Sequence, residues 1–257
     1  MAKKNPEILI KKQIKQLAMS EGAKGVGIAS VKSLLEAGLP GGSRPCDILP
    51  DAKSLISFFF PGIYTPRLNG PYAELGVAEH SINFVLLGSG WPGATQADLL
   101  AYKIARFIID KGFEAIPIPS GHPYDKVNLR GIISQKHAAV EAGLGEMGIH
   151  QLLTIPEFGS NVYPGAVITT AVLEPDSRFR AHMCEEARKN CGLICVQACP
   201  SKAIKGDGTI DKKACVTYLY EHASKKYGYP PHQHIIRCGI CMNVCPAGRS
   251  VQSAKSP

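Results

Sequence analysis

No stretch of this sequence approaches the eighteen or so consecutive apolar residues that a membrane-spanning helix requires, so no membrane partner is expected. The opening residues, MAKKNPEILIKKQIKQLAMS, lack the continuous apolar core and small-residue cleavage site of a secretory signal. A cytoplasmic location is therefore the expectation. Cysteine is nearly missing from most of the chain: of nine cysteines, Cys46 alone precedes position 184. A disulfide framework spread over the body is thereby excluded, and in a reducing compartment clustered thiols are more often metal ligands than disulfides. Internal repeats and low-complexity segments are also absent, which excludes a repeat array.

What remains is a chain of 257 residues, long enough to bury a substantial core. The uneven cysteine content divides it into a body, residues 1–180, and a cysteine-rich tail, residues 181–257. In the body, Asn5 and Pro6 suit a helix start, Ile10, Ile14 and Leu17 share a face, and Gly22 can end the helix. AKGVGIAS reads as a buried strand, GLPGGSRP as a loop and AKSLISFFF as a second strand, with EHSINFVLL a third candidate. TQADLLAYKIARFIIDKG carries a helical apolar stripe, with Thr95 and Asp98 at capping-box spacing and Gly112 as terminator. FEAIPIP and AVITTAVLEP follow as strands. Strands interleaved with helices predict an α/β or α+β body.

Two glycine motifs do not carry the chemistry they suggest. GLGEMG, Gly143 to Gly148, matches G-x-G-x-x-G, but it follows a helical KHAAVEA and has no acidic residue about twenty positions on. It reads as a turn that permits close backbone packing. GGS at 41–43 lacks the Gly-Lys-Ser/Thr ending of a phosphate loop.

The tail holds the strongest signal. CGLICVQACP and CGICMNVCP both end in C-x3-C-P, the close of a bacterial ferredoxin motif in which the last cysteine crosses to the other cluster. Each 4Fe-4S cluster then needs three local thiolates. Cys184, Cys191 and Cys195 supply one set and Cys245 completes it, with a non-protein ligand the alternative to Cys184. Cys215, Cys238 and Cys241 supply the other set and Cys199 completes it. Eight cysteines fill two sites with none left over, and the long C-x3-C spacing of Cys191 and Cys195 moves a ligand rather than deleting one. Zinc is the competing reading, but zinc sites favour paired short knuckles and have no need of the prolines. Cys46 reads as an ordinary, partly buried thiol. Clusters of charge about +2 on eight thiolates would lower the formal charge of +8 to about +4. That suits an acidic electron donor such as a ferredoxin or flavodoxin, and it is too diffuse to argue for nucleic acid.

With these residues in view, the chain resembles the family joining epoxyqueuosine reductases and reductive dehalogenases. GAKGVGIASV, RPCDILPDAKSLI, AYKIARFIIDKGFEAIPIP, HAAVEAGLGEMGIHQLLTIPEFG and the cysteine tail carry the resemblance, in the expected order. AGLGEMG and TIPEFG look closer to the dehalogenase branch, since epoxyqueuosine reductases typically carry tryptophan where this chain has Glu146. The resemblance implies a nitroreductase-like α/β body cradling a corrinoid (cobalamin), or a flavin in its place, next to a dicluster ferredoxin-like domain. Gly143, Leu144 and Gly145, with His137 beside them, would lie near that cofactor. His137 and His150 flank the glycine turn, where a lone histidine is more often a hydrogen-bonded structural residue.

The chain departs from the family in three respects. It ends soon after the second cluster motif, without the helical-repeat extension by which epoxyqueuosine reductases grip tRNA, so nucleic acid is not expected as a partner. Leu129 stands where those enzymes carry a catalytic aspartate, and no twin-arginine leader is present. For a proton donor, GHPYDKVNLRG offers Tyr124, Asp125, Lys126 and Arg130, a phenol and a carboxyl among cations. The expectation is an oxygen-sensitive oxidoreductase that passes single electrons through two clusters to a corrinoid and reduces a small molecule. The alternatives are an electron-transfer or corrinoid-reactivating partner protein, and an epoxyqueuosine reductase-like enzyme.

Overall fold

The computed structural model describes residues 6–38, 44–62, 91–120, 124–125, 127–180, 182–227 and 239–247. The strand expected over 79–87, most of the glycine-proline loop, Asn5, Lys126 and Cys238 lie outside these residues. The chain groups into two compact units. The first comprises Met1–Pro61, Gly93–Glu146 and Val162–Ala181; the second comprises Gly62–Pro92, Met147–Asn161 and His182–Pro257. The cysteine-rich end thus shares its unit with two earlier stretches. Among the described residues, no helix is long and apolar enough to cross a membrane.

The first unit is built on a four-stranded sheet of β1 (Gly25–Ser30), β2 (Ser54–Pro61), β3 (Ala115–Ile118) and β8 (Val162–Thr169), in the order β1-β2-β8-β3. The four other strands expected from the sequence are all in it, yet every neighbouring pair is antiparallel. Interleaved helices would have suited a parallel sheet. Here β8 inserts between β2 and β3, a long-range pairing that local periodicity does not encode.

Helices cover both faces, which is why β2 is buried along nearly its whole length. Ile56, Phe58 and Phe60 point to one side and pack with Ile10 and Ile14 of α1 (Pro6–Ser20). Leu100, Ile104 and Ile108 of α4 (Trp91–Ile109) join the same core. Leu55 points to the other side, with Ala29, Ala166 and Ile168. It meets Leu34 of α2 (Val31–Glu36) and Ala138 of α5 (Gln135–Glu141), near the short α3 (Pro45–Ile48). The period-2 alternation of the strand thus feeds two separate cores.

Two local expectations are corrected. Helix α4 starts at Trp91, one turn before the proposed cap at Thr95, because Pro92 is tolerated in a first turn. Asp98 does not cap the helix; it accepts hydrogen bonds from the Ser120 backbone N–H at 2.8 Å and the Ser120 hydroxyl at 3.0 Å, just beyond β3. The glycine turn behaves as a packing device. Gly143 follows α5 with φ +80°, and a Cβ there would run into the Ser177 carbonyl oxygen.

The segment carrying Ser177 also closes the outer edge of β1. The Asp176 N–H donates to the Ile28 carbonyl at 2.8 Å and the Ile28 N–H donates to the Asp176 carboxylate at 3.0 Å. Lys11 and Lys15 pair with the same carboxylate at 2.8 and 2.7 Å. The neighbouring Arg178 pairs with the buried Glu141 of α5. An edge that would otherwise offer free backbone groups is thus satisfied within the chain. Burial pushes the Asp176 carboxyl up, but Lys11 and Lys15 outweigh it and hold it below the usual carboxylate range. Replacing Asp176 by Ala is expected to cost about 2 kcal/mol at neutral pH, as for hydrogen bonds to a charged group. Because the folded state favours the ionised form, that contribution is present above the ordinary carboxylate value and lost as pH falls through the lowered one. Denaturant titrations of wild type and D176A should therefore converge in acid.

Candidate metal centre

Four helices of the second unit carry the cysteines: α6 (Met183–Cys191), α7 (Ile194–Gln197), α8 (Lys212–Tyr227) and α9 (Ile240–Val244). Cys184 stands in the first turn of α6 and Cys191 closes it. Between Cys191 and Cys195 the chain makes two successive left-handed steps, Gly192 at φ 56° and Leu193 at φ 59°. These break the helix and restart it as α7, so the extra residue of the C-x3-C spacing is absorbed in a sharp turn. The Gln197 side-chain amide donates to the Gly192 carbonyl at 2.7 Å, and the Val196 N–H donates to the Leu193 carbonyl at 2.8 Å. A left-handed leucine is costly, and such strain persists where its surroundings enforce it.

Cys184, Cys191, Cys195 and Cys245 line one cavity of about 390 Å³, open mouth included. Three come from the first motif region, while Cys245 follows α9 and belongs to the second. Ile149, Leu193, Ile194, Pro246 and Ala247 form the apolar part of the wall, and His150 and Thr154 the polar part. The Ile149 N–H donates to the Cys184 sulfur at 3.3 Å. Cys195 is 7% exposed. Burial pushes its thiol up, and the nearby Cys245, Cys184 and Cys191 push it further, outweighing the Val196 N–H. Four thiolates in an apolar space repel one another unless a cation lies between them, which is the condition an iron–sulfur cluster meets. The donor set therefore fits a 4Fe-4S cluster.

The second set is described in part. Burial pushes the Cys215 thiol up, with the charge of Cys199 adding to it, so these two sulfurs stand near each other. Cys241 lies in α9 and Cys238 lies outside the described residues. At Cys199, burial again pushes upward. There the Ser201 hydroxyl and the backbone N–H groups of Ile204, Ala203 and Ser201 prevail, holding the thiol below its ordinary value. Among the described residues, no three His, Cys, Asp or Glu side chains converge tightly enough for a single metal ion. The four thiols of the first set are spread around an open space instead.

His150, only 3% exposed, is fixed beside this cavity. Its Nδ1 accepts the Leu152 N–H at 3.2 Å, so Nε2 carries the proton and donates to the Ser160 hydroxyl at 3.2 Å. Ser160 lies 3.0 Å from the Thr154 hydroxyl. The bonded, structural histidine expected from the sequence is what stands there.

The residues proposed for catalysis fall in a small hairpin, β4 (Tyr124–Asp125) with β5 (Arg130–Gly131). The backbone of Tyr124 pairs with Gly131 and that of Asp125 with Arg130. Asp125 accepts the N–H groups of Val127 and Asn128 at 2.9 Å and the Asn128 side-chain amide at 2.7 Å, and it pairs with Arg130 Nε at 3.4 Å. The Asn128 backbone and side chain, above all, hold its carboxyl below the usual range. Asp125 is thus an ionised acceptor that shapes its own turn. Leu129 occupies that turn in the left-handed region, at φ 53°.

The residues offered for a corrinoid or flavin are otherwise engaged. Gly143 is bare toward Ser177, Leu144 packs at Gly25, Gly145 is buried, and His137 Nδ1 lies 2.6 Å from the Ser134 hydroxyl.

Residues 189–248 match the family of 4Fe-4S double cluster binding domains. The tail is a two-cluster iron–sulfur domain. Cys184 alone of the eight proposed ligands precedes the matched residues. Over 124 residues the chain is 36% identical to the epoxyqueuosine reductase of Listeria monocytogenes, covering 46% of this chain and 31% of that protein. Over 223 residues it is 28% identical to the epoxyqueuosine reductase of Bacillus cereus, covering 84% of this chain and 53% of that one. The chain thus spans between about a third and a half of the length of these curated relatives.

Among solved structures, it superposes on epoxyqueuosine reductase crystallised with an epoxyqueuosine-modified tRNA-Tyr stem loop. The TM-score is 0.61 at 20% identity, over 94% of this chain and 66% of that one. A reductive dehalogenase whose structure suggests a mechanism for B12-dependent dehalogenation gives a TM-score of 0.60 at 17% identity, over 97% of this chain and 33% of that one. At such identities the likeness shows the fold, a mixed α/β body with a double-cluster domain. Two expectations change. These curated relatives are named epoxyqueuosine reductase, which does not support a leaning toward the dehalogenase branch. The exclusion of nucleic acid is corrected, because the enzyme in the tRNA complex shares this fold and holds a stem loop. A diffuse net charge was a poor guide, since nucleic acid is bound by local patches rather than by the total.

Replacing Cys184 by Ser tests its place in the first set. Iron content is expected to fall from about eight to about four per chain as one cluster is lost, while Cys46→Ser leaves it unchanged. Retention of both clusters in C184S would assign the fourth ligand elsewhere.

Proposed function

We propose that this chain is an iron–sulfur oxidoreductase of the epoxyqueuosine reductase type, passing single electrons through two 4Fe-4S clusters to a bound acceptor. The observation that carries this reading is the meeting of Cys245, from the second motif, with Cys184, Cys191 and Cys195 around one cavity. That exchange belongs to paired clusters, and pairing makes a path for single electrons. The named relatives and the fold support the substrate class: epoxyqueuosine carried on a tRNA stem loop.

Electrons enter from a small acidic donor such as a ferredoxin or flavodoxin. The acceptor is a corrinoid, on the strength of the dehalogenase likeness, with flavin as the alternative. Gly143, Leu144, Gly145 and His137 would lie near that group. Tyr124, with Lys126 and Arg130 close to it in sequence, is proposed as the proton donor to the reduced product, since a phenol assisted by a cation suits that transfer. Asp125, bound as an acceptor in its turn, supports the hairpin that carries it.

Two further readings stand behind this one. A dehalogenase-like reduction of a small molecule is supported by fold alone. An electron-transfer or corrinoid-reactivating protein is supported by the double-cluster domain, which passes electrons whether or not the chain has a substrate of its own. Anaerobically purified protein is expected to hold about eight irons. With a chemical reductant and cobalamin, it should consume epoxyqueuosine in a tRNA stem loop, followed by nucleoside mass spectrometry. About eight irons without turnover, in the presence or absence of cobalamin or flavin, would overturn the reductase reading in favour of the electron carrier.

A further inference from the structure

The segment from Cys199 to Ile204 is folded around a single sulfur. Pro200 follows the ligand, and the Lys202 N–H donates back to the Cys199 carbonyl at 3.1 Å, closing a tight turn. Lys202 itself is left-handed, at φ 51°, an uncommon conformation for a residue with a side chain. This reversal carries Ser201 back toward the Cys199 sulfur. The Ser201 hydroxyl lies 3.4 Å from the same atom. A cluster-bound thiolate has no proton, so the hydroxyl is the donor in that contact.

We infer that Ser201 sets the reduction potential of the cluster ligated by Cys199, and does so without touching the other cluster. This rests on the two-cluster reading above. Reduction adds negative charge to a cluster and its thiolates, and a hydrogen bond to sulfur stabilises the more negative state. The backbone donors of this turn are fixed by the fold. Ser201 contributes the one donor that a substitution can remove while the ligand and the backbone stay in place. It is a positioning and tuning residue, since it acts through Cys199.

The test is an anaerobic redox titration of wild type, Ser201→Ala and Ser201→Thr, with the two clusters followed separately by electron paramagnetic resonance. Iron content is expected to be the same in all three. S201A should lower the potential of one cluster and leave the other where wild type has it. S201T, which keeps the hydroxyl, should restore the wild-type value. Potentials unmoved in S201A, a parallel fall of both clusters, or loss of a cluster on removing the hydroxyl would overturn the inference. A wild-type preparation lacking two clusters would instead overturn the reading on which it rests.

Discussion

The second unit is governed by the charge its own ligands create. Thiols that are to bind iron must be ionised, and Cys195 sits in an apolar cavity among three others whose charges oppose its ionisation. Without a cation this arrangement works against itself. With a cluster in the cavity, the same repulsion becomes the reason the sulfurs stay apart at the corners of a polynuclear group. The apolar walls, the left-handed turn at Leu193 and the crossing of Cys245 all follow from enclosing that charge and shielding it from water.

The same requirement is met differently at Cys199, where donors converge on the sulfur and outweigh the effect of burial. Two cysteines of the same motif, Cys195 and Cys199, are thus held in opposite electrostatic settings. What separates them is the backbone that follows each one, one turn running on as helix and the other folding back through Lys202.

The two-cluster domain was legible because cluster binding imposes a spacing on the chain, and C-x3-C-P occurs twice. Strands β1, β2 and β3 and helix α1 were legible because burial imposes periodicity. Sheet order was not, since β8 pairs with β2 and β3 across long sequence separations. The start of α4 was misplaced because Thr95 and Asp98 match a capping pattern, while Asp98 serves Ser120. Gly143 could be assigned to close packing from sequence, but its partner Ser177 could not. Ser201 left no signal at all, as a serine after a proline reads as an ordinary turn residue.

The crossing of Cys245 also bears on how the protein is made. The cavity lined by Cys184, Cys191 and Cys195 is not closed until Cys245, from the second motif, arrives. During synthesis from the N-terminus, the first three sulfurs therefore emerge well before their fourth. Iron delivered early would meet an open, three-thiolate site exposed to exchange and oxidation. Cluster insertion is thereby deferred until the second cysteine motif has been made, and assembly of the electron path waits on both motifs.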